Sequence, residues 1–91
     1  MLLSKYDEDA EHKLFARAMQ DVGKELKDAT DRYGSFHSTH EAAGVLREEH
    51  DEFWDAIKAN DTAAARAEAV QVAAMAIRFI IDADRGEKCI I

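Results

Sequence analysis

Apolar residues in the first third of the chain fall at Phe15, Met19, Val22, Leu26 and Ala29, with Leu14 and Ala18 beside them. Steps of four and three place them on one stripe of a helix, which predicts a first helix over about 9–32. The stretch RYGSFHST, Arg32 to Thr39, breaks the period. Gly34 is a helix stop there, Ser38 or Thr39 caps the next helix, and Ser38 with Glu41 matches a capping box. This second helix, about 39–59, carries Leu46, Phe53 and Ile57 on one side, with Ala42 nearby. Ala59 to Asp61 reads as a short turn, with Asp61 or Thr62 capping a third helix over about 62–84. That helix is apolar nearly all round, from Val70 through Val72, Ala74, Met75 and Ile77 to Ile80, a pattern normally found on buried helices. Gly86 ends it, and residues 85–91 read as a tail.

No segment reads as a strand, and short connections between long helices favour antiparallel neighbours. The expectation is an all-α bundle of three main helices in a single domain, 1–91. The absence of proline and the wealth of alanine agree with it. Ninety-one residues make a marginal core, which oligomerisation would complete. With 47% hydrophobic and 34% charged residues, the chain has the composition of a folded, soluble protein.

The net charge of −7 argues against direct binding of duplex nucleic acid, which needs clustered Lys and Arg. It still allows a phosphorylated small molecule, provided metal ions bridge the two sets of negative charge. No apolar run approaches the roughly 20 residues of a membrane span, and the acidic start of the chain is unlike a signal peptide. The single cysteine, Cys89, excludes an intrachain disulfide and argues against a thiolate zinc site. A cytoplasmic location is expected.

The densest chemistry lies in REEHDEFWDA, Arg47 to Ala56, where Glu48, Glu49, Asp51, Glu52 and Asp55 fall within eight residues. At about 100° per residue, Glu48, Glu52 and Asp55 point away from the apolar side, and Glu49 sits at its border. Glu49 and Glu52, three apart, converge on one point. On the third helix Glu68, Gln71, Arg78 and Asp82 share a narrow strip with Met75. Polar groups on a buried helix cost several kcal/mol without partners. An antiparallel second helix would bring Glu49 and Glu52 to Glu68 and Gln71. Three close carboxylates require a proton or a cation, and hard oxygen ligands suit Mg²⁺ or Mn²⁺. The plain alternative is a solvated acidic face, with Arg78 a counter-ion for Glu68 or Asp82.

Between the first two helices, Tyr33 to Glu41 gathers Tyr33, Phe36, His37 and His40 with three hydroxyls. Beside a ligand site such a loop could stack on and hydrogen-bond a flat ring, or else it caps a helix and plugs the core with Phe36. The H-x-x-H pair His37 and His40 is a second, weaker ligand pattern, with His40 otherwise a cap. His50, close to the apolar side, reads as a satisfied buried histidine. Phe53 and Trp54 read as core or subunit-interface residues, with Trp54 alternatively beside a ligand. Cys89 has no evident base partner.

EEHDE, Glu48 to Glu52, followed after fifteen residues by EAVQ, Glu68 to Gln71, resembles the MazG-type all-α nucleoside triphosphate pyrophosphohydrolases, whose signature is E-E-x-x-E, a variable gap, then E-x-x-D. GVLREEHDEFWDAI and AEAVQVAAMAIRFI are similar to that family's two core helices, so the resemblance covers about 42–81. It implies Glu49, Glu52 and Glu68 as magnesium ligands, with Gln71 where the family has an aspartate. That departure leaves an oxygen ligand but removes its charge. The implied reaction is hydrolysis of a nucleoside triphosphate to the monophosphate and pyrophosphate, in a homodimer or homotetramer. Metal ions would activate the attacking water, and Glu48 or Glu49 would take its proton. Substrate contacts are expected from Arg78, His37, His40, Phe36 and Trp54, with Lys13, Lys24 or Lys27 of another subunit as further phosphate ligands.

The Gln71 departure motivates a second function, a catalytically weakened or inactive module that binds nucleotide or protein. A di-iron bundle needs Glu-x-x-His, and no glutamate here has a histidine three residues on. A purely structural helical dimer leaves the polar strip of the third helix without a purpose.

Overall fold

The structure, a computed structural model, describes residues 7–86. It is all-α: α1 spans Glu8–Tyr33, α2 Thr39–Lys58 and α3 Thr62–Arg85. Each boundary falls within a residue or so of the expected one, because each is written in cap chemistry. Asp7 accepts from the amides of Asp9 and Ala10, Ser38 Oγ from that of Glu41 at 3.0 Å, and Asp61 Oδ1 from that of Ala64 at 3.0 Å. The capping box is altered in one respect. Glu41 reaches past the cap residue and accepts from the His37 amide at 2.7 Å. Gly86, in the left-handed region at φ 75°, ends α3. Cys89 and the rest of the tail beyond Gly86 lie outside the described residues. Among the described residues, no helix is long and apolar enough to cross a membrane.

The helices are arranged differently from a closed bundle. α3 lies in the middle, with α2 against one side and α1 against the other, while α1 and α2 do not pack together. Two contacts give the directions. Asp21 on α1 pairs with Arg66 at 2.8 Å, and the Arg78 guanidinium bonds the Gly34 carbonyl, so α1 runs parallel to α3. On the other side Glu49 and Glu52 meet Glu68, while Phe36 meets Asp82, so α2 runs antiparallel. The five residues between α1 and α2 therefore reverse the chain without making the two helices packed neighbours. A radius of gyration of 15.2 Å, against about 12 Å for a compact chain of this length, reflects the opening.

The buried apolar set is small: Ala29, Phe36, Ala42, Ala65, Ala74 and Met75, backed by half-buried Val22, Leu26, Val45, Leu46 and Phe79. The apolar stripe of α1 is longer than the surface it covers. Asp21 lies level with Arg66, four residues into α3, so α1 overhangs the start of α3 by its first two turns or more. Leu14, Phe15 and Met19 are consequently exposed. α3 is likewise less buried than its composition suggests, with Ile80 and Ile81 facing outward. Trp54 is 52% exposed, with the Lys58 ammonium 5.9 Å from its ring centroid, so it is no core residue of this chain. His50, expected to be buried, is exposed beside Asp51. The helix it sits on covers α3 with Ala42, Leu46 and Phe53 and turns residue 50 outward.

Candidate metal centre and cavity

The polar strip of α3 divides into two ends. Toward the C-terminus it holds the connection between α1 and α2. Asp82, 3% exposed, accepts from the Phe36 amide at 2.8 Å. Arg78, 6% exposed, donates to the Gly34 carbonyl at 3.0 Å and to the Met75 sulfur at 3.3 Å. Its guanidinium lies 4.0 Å over the Phe36 ring. Arg85 adds a bond to Ser35 Oγ at 3.3 Å. Gly34 stands at φ 70°, ψ −150°, a region closed to residues with a Cβ, and presents its carbonyl to Arg78 from there. Arg78 is therefore a clamp on the loop and makes no ion pair with Glu68 or Asp82. Asp82, expected at most as a partner of Arg78, is the residue that pins Phe36.

Toward the N-terminus the strip meets α2. Glu49, Glu52 and Glu68 each offer a carboxylate oxygen within 4.8 Å of the others. Glu68 Oε2 is buried and has no hydrogen-bond partner. Burial raises the pKa of Glu49 to about 7, with Glu52 and Glu68 adding to the rise by repulsion. Burial, and then the charge of Glu52, raises Glu68 as well. These are groups assembled at the expense of their charged forms, and a proton or a cation relieves them. The helix phase anticipated this: Glu49 is half-buried at the border, and Glu48, Glu52 and Asp55 are exposed.

Between α1 and α2, floored by α3, lies a cavity of about 540 Å³. Glu48, Glu49 and Gln71 line one end and Arg78, Phe36 and His37 the other. Gln71, one turn after Glu68, thus stands beside the carboxylates, as the antiparallel pairing implied. Other expected residues fall elsewhere. Trp54 and His40 do not line the cavity, and His40 is exposed. His37 is engaged by Glu41 at 3.2 Å, so the H-x-x-H pair does not converge. Glu41 is held below the usual carboxylate range, first by the bond from the His37 amide. Phe36 is 4% exposed and its ring is covered by Arg78, so it plugs the core. Lys13, Lys24 and Lys27 lie outside this wall, and Lys27 pairs with Asp31 at 2.7 Å.

Tyr33, already singled out with the loop, faces the cavity, and three further residues of α1 that were not foreseen join it: Glu25, Asp28 and Arg32. Their spacing of three, four and seven is a helical stripe beside Leu26 and Ala29, and that spacing is the signal that was available. Compared with models of known protein families, with curated proteins and with solved structures, the chain matches none.

Proposed function

We propose that the protein hydrolyses nucleoside triphosphates to the monophosphate and pyrophosphate with the help of a divalent cation, Mg²⁺ or Mn²⁺. The single observation carrying this reading is the convergence of Glu49, Glu52 and Glu68 within 4.8 Å, with Glu68 Oε2 buried and unpartnered. The spacing of Glu48 to Gln71, which resembles the MazG-type signature, supports it. Glu49, one of the three, also lines the cavity, which supplies room for a small phosphorylated molecule beside the cluster.

The donors fit the ion. They are hard oxygens, and an orphaned carboxylate oxygen is what a cation would satisfy. Glu49, Glu52 and Glu68 would hold it, with the Gln71 amide oxygen as a neutral addition. When bound, it would neutralise phosphate charge and acidify a water. The chain's own part is to hold the phosphates beside the cluster and accept a proton. Glu48 lines the cavity, is exposed and stands outside the cluster, so it is the carboxylate free to accept it. A second copy of the chain would cover Leu14, Phe15, Met19 and Trp54, giving a homodimer or homotetramer. The work belongs in the cytoplasm, where these nucleotides are held.

The test is pyrophosphate release from a panel of ribo- and deoxyribonucleoside triphosphates with Mg²⁺ or Mn²⁺. Glu52→Gln should remove turnover while the protein stays folded. Gln71 in a half-buried position, neutral among carboxylates, favours a second reading, a binding module without turnover. Nucleotide binding with no pyrophosphate release across the panel would establish that reading instead.

A further inference from the structure

Arg78 is a buried cation that the fold leaves incompletely satisfied. It makes two hydrogen bonds, one of them to sulfur, a weak acceptor. Its Nε is buried without a partner, and no carboxylate lies within 4.0 Å of the guanidinium among the described residues. A guanidinium has five N–H donors and accepts nothing, so what it lacks is an oxygen or nitrogen acceptor. The side chain lines the cavity, buried yet reaching its wall.

Position selects the kind of acceptor. Arg78 is seven residues beyond Gln71 and ten beyond Glu68 on one helix, roughly 10 and 15 Å along its axis. A nucleotide with its phosphates at the carboxylates would present its base, not its phosphates, at that distance. The surrounding charges agree. Glu25, Asp28 and Glu41 outnumber Arg32, the other guanidinium on the same cavity, and the excess of carboxylates repels phosphate. The Arg78 charge reaches Glu41 and helps lower its pKa. A guanidinium already partly balanced in this way suits a neutral acceptor. The aromatic available at this end is Tyr33, 64% exposed, its ring centroid 5.8 Å from the Arg78 guanidinium.

We propose that Arg78 determines base specificity at the far end of this cavity by donating to a carbonyl oxygen of the base, beside Tyr33. The inference rests on the nucleotide-hydrolase reading above. Adenine is the one common base without a carbonyl group, so it is the base the site should reject. A base held with its C6 group against Arg78 would offer an acceptor in hypoxanthine or guanine but an amino donor in adenine, so donor would face donor, and sites built around such a donor discriminate strongly against a ligand lacking the partner at that point.

The decisive pair is ITP and ATP, which differ at the carbonyl or amino group on C6 and at the N1 proton. With the full chain and Mg²⁺ or Mn²⁺, kcat/KM for ITP should exceed that for ATP by about tenfold or more, the effect of one hydrogen bond to a charged group. Arg78→Met keeps the length of the stem and removes the donors, and the ITP/ATP ratio should fall toward one. If that variant does not fold, Arg78→Lys, which loses the planar fork, carries the same ratio test. Equal values for ITP and ATP in the unmodified protein would overturn the proposal and leave the hydrolase reading intact. So would hydrolysis of inorganic triphosphate as fast as of ITP, or equal loss on both nucleotides in Arg78→Met. Absence of turnover with every nucleotide would instead remove the hydrolase reading, and this inference with it.

Discussion

The two ends of the α3 polar strip solve the same problem in opposite ways. Asp82 and Arg78 are more deeply buried than Glu68, yet Asp82 holds a backbone amide at 2.8 Å and Arg78 a carbonyl and an aromatic face, with its Nε left unpartnered. At the other end Glu49, Glu52 and Glu68 face one another, with one oxygen orphaned and two pKa values raised. A buried polar group that contributes to folding is given a partner by the chain. A group left among like charges weakens the fold and is held in place by the rest of the structure. The first end holds the loop to α3, and the second is the end proposed above to take up an ion.

The largest test strikes the architectural end. Asp82→Ala leaves the Phe36 amide without its acceptor and should cost about 3 kcal/mol, seen as a lower denaturation midpoint. A neutral result would mean the loop is held by Arg78 and Arg85 without Asp82. Next in size is the opposite end. Saturating Mg²⁺ or Mn²⁺ should raise the unfolding free energy by about 2.7 kcal/mol at a hundred times Kd. A thermal melt unmoved by either ion would break the contrast outright. Glu68→Gln should reverse the sign usual for a partly buried substitution. It removes a charge that burial and Glu52 disfavour, so the metal-free protein should gain about 1 kcal/mol and lose its response to metal.

The same end sets the pH dependence. Glu49 in the folded protein has its pKa raised to about 7, above its ordinary value, so between those two pH values the folded state binds the extra proton. Stability is then full below the ordinary carboxylate range and falls as pH rises through about 7. Metal-free protein should therefore lose about 2 kcal/mol between pH 5 and 8, measured by denaturant unfolding, and bound metal should flatten the slope. The smallest effect sharpens the boundary of the site. His40 is exposed and lies outside the cavity wall, so His40→Ala should change stability by no more than about 0.5 kcal/mol and leave turnover unchanged.

Much of this arrangement was legible in local chemistry. Ser38, Asp61 and Gly86 mark helix ends because a cap needs only its own neighbours. The meeting of Glu49 and Glu52 with Glu68 comes from helix phase and a three-residue turn, both short-range quantities. The contacts that hold Arg78 and Phe36 were not legible because they are long-range. They depend on a loop that reaches across to α3, 44 to 46 residues away in sequence. His50 was misread, and Trp54 was left open between core and subunit interface, because an amphipathic pattern gives the direction of a face and not what stands opposite it.

The chain's own order of residues determined three helices, their ends and the acidic flank of the second, since each depends on contacts within a turn or two. The tertiary arrangement alone decided that α1 and α2 would stand apart on either side of α3. That separation opens the cavity, turns Arg78 into a clamp on Gly34, and leaves the apolar start of α1 uncovered. Helix periodicity states which way a side chain points, and only the neighbouring helix determines whether it meets a partner, a void or water.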